Sequence, residues 1–169
     1  DIPEITYGFG GAIEWKGFDV SIFFQGTARV SLFEEGSTIV PFSSGYKNND
    51  GFLRGVMENR WTVDNPDPNA RYPRTIRPSD ALDNNNTKKS SFWVRNAAFL
   101  RLKNAEIGYT FPKRWMEKMA IQNLRLYVSG VNLLTWAPDV HLFDPDLGSG
   151  DGRKYPPTRV FNVGLNINF

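Results

Sequence analysis

The strongest constraint in this chain is a two-residue alternation of apolar and polar side chains, sustained over unusually long stretches. In the first stretch, Ile5, Tyr7, Phe9, Gly11, Ile13 and Trp15 share one face, and Thr6, Gly8, Gly10, Ala12, Glu14 and Lys16 share the other. In the second, Phe18, Val20, Ile22, Phe24, Gly26, Ala28, Val30 and Leu32 oppose Asp19, Ser21, Gln25, Thr27, Arg29 and Ser31, with Phe23 the one large apolar intruder. A later stretch sets Leu124, Leu126, Val128, Gly130, Leu134 and Trp136 against Arg125, Tyr127, Ser129 and Thr135. The last is the cleanest: Phe161, Val163, Leu165, Ile167 and Phe169 alternate with Asn162, Gly164, Asn166 and Asn168. A helix cannot carry this pattern, because its faces repeat every 3.6 residues.

The middle stretch, 98–111, changes phase. Ala105, Ile107, Tyr109 and Phe111 are odd-numbered, whereas Leu100 and Leu102 are even-numbered and Arg101 and Lys103 lie between. One extra residue near Asn104 flips the faces, as a β-bulge does. Alternatively, the upper part of this strand stands clear of whatever the lower part faces.

Five strands are therefore expected, over about 5–16, 18–32, 98–111, 122–136 and 158–169. Their length exceeds the usual five or six residues, and about nine to eleven tilted residues cross a bilayer. The connections are short at Lys16-Gly17, long over 33–92, short over 112–121 and long over 137–157. Alternating short turns and long loops is the order of a transmembrane β-barrel. The expected fold is thus all-β, a segment of an antiparallel transmembrane barrel with two long extracellular loops. The apolar faces carry no charge in their central parts; Arg159 and Asn132 occupy apolar positions only toward the loop ends. Tyr7, Trp15, Tyr109, Phe111, Trp136 and Phe169 fall near strand ends, where an aromatic girdle sits. The competing architecture is a soluble β-sandwich acting as a carbohydrate-binding module. The two differ in what covers Phe18, Ile22, Phe24, Val163, Leu165 and Ile167: a second sheet, or lipid.

Composition narrows the chemistry. The 169 residues include no Cys and one His, His141, which excludes disulfides, thiolate metal sites and multi-histidine metal centres. A net charge of +2 gives no reason to expect nucleic acid. No eighteen-residue apolar run is present, so no transmembrane helix is expected. The start, Asp1-Ile2-Pro3-Glu4, carries no export signal. No enzyme is expected, although Glu34-Glu35 and Asp144-Asp146 form carboxylate pairs that a glycosidase could use.

The long loops hold the remaining candidates. Pro41, Pro66, Pro68, Pro73 and Pro78 preclude a continuous helix or central strand in 33–92. Trp61, Tyr72 and Arg74, with Trp136 at the far strand end, are candidates to touch a ligand or a covering partner, the rings by stacking and arginine by hydrogen bonding. The alternative is that Trp61 and Tyr72 anchor the loop's own small core. Residues 83–89 read as a mobile tip. Residues 144–152 resemble a calcium loop in the spacing of Asp144 and Asp146, but Gly148, Ser149 and Tyr155 stand where the EF-hand pattern wants a ligand, a glycine and a glutamate. A turn-rich loop without metal is the simpler reading. Residues 113–119 can form one helical turn with Trp115 and Met119 on one face. No cofactor is expected.

Several pieces, taken in order, resemble the late-barrel strands of SusC/RagA-type TonB-linked outer-membrane transporters. They are Ile2-Pro3-Glu4-Ile5-Thr6-Tyr7-Gly8, Trp15-Lys16-Gly17-Phe18-Asp19-Val20-Ser21 and Phe24-Gln25-Gly26, then Asn59-Arg60-Trp61-Thr62, Asn65-Pro66 and Tyr72-Pro73-Arg74. Phe99-Leu100-Arg101-Leu102-Lys103-Asn104, Gly108-Tyr109-Thr110, Leu124-Arg125-Leu126-Tyr127-Val128-Ser129-Gly130 and Asn132-Leu133 continue the series. The alternating end with Phe161, Val163, Leu165, Ile167 and Phe169 is similar to a barrel-assembly signal. The resemblance implies the C-terminal part of a nutrient importer in the cell outer membrane, with oligosaccharide or oligopeptide cargo. It further implies a SusD-like lid lipoprotein, the barrel-assembly machinery, and TonB acting through a plug. Plug and most of the barrel are expected to lie outside these 169 residues, as would an export signal. This segment would close the barrel and supply extracellular loops.

Overall fold

The computed structural model describes residues 2–36, 38–40, 53–75, 86, 88–115 and 121–169. Pro41, Pro78, most of the Asn-rich tip and Met116 to Met119 lie outside the described residues. The strands are β1 (Ile5–Trp15), β2 (Phe18–Ala28), β3 (Ser31–Phe33), β4 (Val94–Asn96), β5 (Phe99–Thr110), β6 (Asn123–Trp136) and β7 (Val160–Asn168), with one short helix, α1 (Arg54–Glu58). The five long strands form one antiparallel sheet in the order β1-β2-β5-β6-β7. The chain divides into two compact units. A sheet unit comprises 3–30, 98–138 and 157–169; a loop unit comprises 1–2, 31–97 and 139–156.

Within the sheet unit, local chemistry explains the elements. β1 and β2 pair from Ile5↔Ala28 to Trp15↔Phe18 without a slip. Lys16 (φ 49°) and Gly17 (φ 88°) both take positive φ, which a two-residue turn matching strand twist requires. A Cβ on Gly17 would stand 2.8 Å from the Thr110 carbonyl oxygen, so this turn admits little but glycine. The expected single strand over 18–32 is in fact two. Arg29 adopts φ 50°, a left-handed turn of the backbone at which this ladder ends; the chain resumes as β3, in the other unit.

The phase change in β5 is a bulge. Phe23 faces Asn104 and Phe24 faces Leu102, so Lys103 is the extra residue. β6 answers it: Leu102 pairs with Leu134 but Asn104 pairs with Val131. Asn132, at φ 55°, takes up that excess. The apolar face consequently crosses the bulge intact, through Leu100 and Leu102 to Ala105, Ile107 and Tyr109. By register, the Lys16-Gly17 turn, the 111–122 connection and the end of β7 share one end of the sheet. Both long connections leave from the other.

The loop unit is where the hydrophobic core lies. Ile39, Val40, Val56, Tyr72 and Trp93 pack together, flanked by Phe33, Leu53, Leu142 and Phe143. β3 and β4 form a two-stranded ladder beside them, and isolated bridges join Glu34 to Gly150 and Arg60 to Tyr72. The expected long loops 33–92 and 137–157 thus contribute segments to a folded body. Alternation did not reveal this, because a core assembled from short irregular segments has no period.

Candidate functional site

One face of the five-stranded sheet is apolar from edge to edge. The row Gly11, Ile22, Ala105, Gly130, Phe161 lies across its middle, and the row Ile13, Val20, Ile107, Val128, Val163 beside it. No residue of either row is charged. Phe18, Ile22, Ile107, Leu165 and Val163 are exposed, Val163 by 75%. Ile167 is exposed at 40%, and Phe24 is partly covered. No second sheet packs on these residues among the described ones, so the sandwich alternative fails. A bare apolar face this broad demands a nonaqueous partner. An 11-residue strand extends about 36 Å at about 3.3 Å per residue. Tilted by about 40°, it rises about 28 Å, enough for the roughly 25 Å apolar band of a membrane barrel.

Aromatic rings gather at both ends of that face. At the short-turn end, ring centroids run Phe18–Tyr109 at 4.6 Å, Tyr109–Phe111 at 5.1 Å and Phe111–Trp115 at 5.9 Å. Lys16 lies over Trp15 at 4.7 Å. On the other side of the middle row Phe9 stacks on Phe24 at 5.1 Å, and Phe24 reaches Trp136, at the loop end of β6, at 6.4 Å. Rings with a polar edge or a cation beside them suit the interfaces of a bilayer. Trp115 belongs to a single 3-10 turn, Lys113–Trp115.

The opposite face is polar and carries the sheet's charges. Arg125 binds both Asp19 and Glu106, the latter at 2.6 Å, and its Nε donates to Asp19 Oδ1 at 3.0 Å. The guanidinium lies over Gly108, where a Cβ would meet its Nε at 2.7 Å. Phe23, the intruder of the sequence pattern, covers Gly8 and Gly10 on β1, its Cζ 2.9 Å from a Cβ built on Gly8. Tyr127 covers Gly164 in the same way. Large rings on one strand therefore occupy the space that glycines on the next leave open. Arg101 is 2% exposed; its Nε donates to Thr135 Oγ1 at 2.9 Å, and it lies over the Phe99 ring at 5.0 Å.

In the loop unit the central feature is ionic. Glu34 is fully buried. Arg95 Nε donates to its Oε2 at 2.8 Å, and Arg71 donates to its Oε1 at 3.4 Å. Arg71 also donates to Asp139 Oδ1 at 2.7 Å, and the Asn96 backbone N–H donates to Asp139 Oδ2 at 2.8 Å. Four separate segments are thereby tied through two arginines. Burial alone would push the Asp139 carboxyl up, but the Arg71 hydrogen bond and the Asn96 N–H outweigh it and hold the group below its ordinary range. Burial opposes the charge on Arg71, yet its partners keep that guanidinium more firmly protonated than usual. Burial raises the Tyr72 phenol.

These positions sort the sequence candidates. Tyr72 is 1% exposed and fills the core, against Trp93 at 6.4 Å; its ring has no open face for a ligand, which corrects the stacking expectation for it. Trp61 is partly covered, and its backbone N–H donates to the Tyr72 carbonyl at 2.9 Å. Arg74 is exposed. Trp136 lies at the end of β6 on the apolar face, half exposed, and so belongs with the girdle rather than with a loop. Phe161, Val163, Leu165, Ile167 and Phe169 project from the apolar face of β7 and its end, exposed by 40% to 79%. Glu34 is buried between two arginines, whereas Glu35 makes an exposed ion pair with Lys89 at 2.8 Å. Asp144 accepts from the Asp146 N–H at 3.0 Å and caps the turn Pro145–Leu147. Among the described residues no three His, Asp or Glu side chains converge as metal ligands. His141 is exposed. Sequence reasoning missed the Glu34–Arg71–Arg95–Asp139 set: its members are far apart in sequence, and Glu34 stood out only as half of a carboxylate pair.

Long strands, a bare uncharged apolar face and paired aromatic rows define a transmembrane β-barrel segment. Comparison with known proteins sharpens this. The chain is 30% identical to TonB-dependent receptor P3 of Formosa agariphila and 29% identical to TonB-dependent receptor P26 of the same organism, each over 99% of its length. It spans only 16% and 17% of those relatives. Among solved structures it matches the RagAB peptide transporter (TM-score 0.68) and the RagAB peptide importer in the open-open state (TM-score 0.65). In both, identity is 24%, with 99% of this chain and 17% of the other covered. No protein-family model matches the chain. The chain belongs to the TonB-dependent receptors and is a segment of their barrel, with the fold of the matching part of the RagAB transporter.

Proposed function

We propose that this chain forms part of the barrel wall of an outer-membrane nutrient importer, energised through TonB and closed outside by a SusD-like lipoprotein. The carrying observation is the uncharged apolar face of five membrane-length strands, exposed on the sheet unit. The cargo is an oligosaccharide or an oligopeptide; the RagAB importer, which shares this fold, imports peptide. The polar face, with Arg125, Asp19 and Glu106, lines the lumen. The sheet edges at β1 and β7 each have one neighbour here. An unpaired edge is not tolerated in lipid, so both pair with the remainder of the barrel, which also holds the plug. The loop unit, with Trp61 and Arg74 at or near its surface, is the part presented to lid and cargo. Phe161, Val163, Leu165, Ile167 and Phe169 form the signal read by the barrel-assembly machinery.

The test uses the complete importer in its native cell. Deleting the gene abolishes uptake of either labelled oligopeptides or labelled oligosaccharides, and the tagged protein copurifies a surface lipoprotein. Unchanged uptake of both cargo classes counts against import. Removing Phe169 lowers folded protein at the surface; normal levels dismiss the assembly role.

A further inference from the structure

Two turns meet at the short-turn end of the sheet unit. The Thr110 N–H donates to the Gly17 carbonyl at 2.7 Å, and Phe18 pairs with Tyr109. The Lys16-Gly17 turn therefore lies against the start of the connection between β5 and β6. The aromatic chain Phe18, Tyr109, Phe111 and Trp115 runs along this junction. Trp15 and Trp115 are its most open rings, exposed by 65% and 57%.

Cations stand beside both tryptophans. Lys16 belongs by alternation to the polar face, yet its ammonium lies over the Trp15 ring. Lys113 and Arg114 precede Trp115 in its 3-10 turn, and both are exposed. None of these three side chains makes an ion pair or a hydrogen bond among the described residues. Arg125, by contrast, is held between Asp19 and Glu106, and Arg29 meets Glu4 at 3.6 Å. By sequence, the 111–122 connection carries Lys113, Arg114 and Lys118 against Glu117 alone. Positive charge is thus in excess at the level where the aromatic girdle ends.

We propose that this end of the sheet binds a phospholipid of net negative charge, in the leaflet on the short-turn side. The proposal rests on the membrane assignment above. Interfacial tryptophans sit at headgroup depth, so a cation beside each of them meets phosphate rather than acyl chain. The Arg114 guanidinium matches two phosphate oxygens at once, and the lysines act as point charges. Basic groups at a bilayer surface enrich anionic lipid around them. An acidic protein segment would be drawn by the same charges but would not need the exposed rings; a lipid uses both, its chains lying along the apolar face.

The experiment uses the full-length importer, delipidated in mild detergent and offered phosphatidylglycerol or phosphatidylcholine of the same chains, with adducts counted by native mass spectrometry. Wild type retains phosphatidylglycerol about tenfold better than phosphatidylcholine. Replacing all three cations (Lys16→Gln, Lys113→Gln, Arg114→Gln) brings that ratio close to one. Arg159→Gln, toward the other end of the sheet, leaves it unchanged. Trp115→Ala lowers retention of both lipids alike. An unchanged ratio in the triple variant, an equal loss of preference in Arg159→Gln, or unchanged retention in Trp115→Ala overturns the site. Each variant is scored on protein recovered from the outer-membrane fraction as a heat-modifiable barrel. That readout tests the membrane assignment separately: absence of the wild-type protein from this fraction overturns both, whereas loss of lipid preference alone overturns only the site.

Discussion

The two units of this chain solve opposite solvent problems. In the loop unit, apolar side chains turn inward: Ile39, Val56 and Tyr72 are at most 1% exposed, and a deeply buried carboxylate, Glu34, meets two arginines. In the sheet unit the apolar side chains turn outward, and the largest fully buried side chain is a cation, Arg101. A soluble protein cannot afford the second arrangement, because exposed apolar surface costs about 25 cal/mol per Å² in water. In lipid that cost vanishes and the cost of charge appears in its place. The same alternating pattern would mean a core face in one solvent and a lipid face in the other; exposure tells them apart.

Four perturbations sharpen that contrast, and all are read in the full-length protein. The largest effect is expected at Glu34. Glu34→Gln removes the charge and leaves Arg71 and Arg95 facing each other; breaking a buried pair this way costs roughly 3–5 kcal/mol. Limited proteolysis should then cut within 53–75 and 139–156 while the five strands stay protected. Strands and loops losing protection together would show that the units are not separate.

Next in size is charge on the two faces of the sheet. Val128→Arg puts a cation near mid-bilayer on the apolar face, at a cost of about 2–4 kcal/mol, and should reduce folded protein in the membrane. Ser129→Arg, one residue away on the polar face, should be tolerated. Equal effects would refute the assignment of faces.

The third concerns pH and the loop unit alone. The Asp139 carboxyl is held below its ordinary value of 3.8, so its folded-state pKa is depressed. Its contribution is complete above the ordinary value and is lost as pH falls through the lowered one. Protection of the loop-unit amides, taken as exchange relative to the intrinsic rate at each pH, should fall below about pH 4, and Asp139→Asn should flatten that acid limb. An identical limb in the variant would assign it to other carboxylates.

The smallest effect is expected at Phe23→Ala, which uncovers Gly8 and Gly10 on the polar face. Thermal melting of the barrel should drop only slightly, since the ring is already 41% exposed. A large drop would mean that the polar face packs against something as dense as a core.

Alternation located the five long strands and separated the two faces, and it offered a bulge beside Asn104 as one of two readings of the phase change; the short and long connections pointed to the antiparallel arrangement. A β-strand puts successive side chains on opposite sides, so its faces can be read directly from neighbouring residues. The likeness of Trp15-Lys16-Gly17-Phe18 and its companions pointed to the same barrel family. Other features needed the tertiary structure. The break at Arg29, the burial of Tyr72 and the compactness of the long connections depend on contacts between distant segments. So does the ion set of Glu34, Arg71, Arg95 and Asp139, whose outermost members are separated by more than a hundred residues. Such contacts follow from how the chain returns on itself, and no local period records that return. The rim of Lys16, Lys113 and Arg114 belongs to both levels: the cations stand beside tryptophans in the sequence, but only the pairing of β2 with β5 sets the two turns side by side.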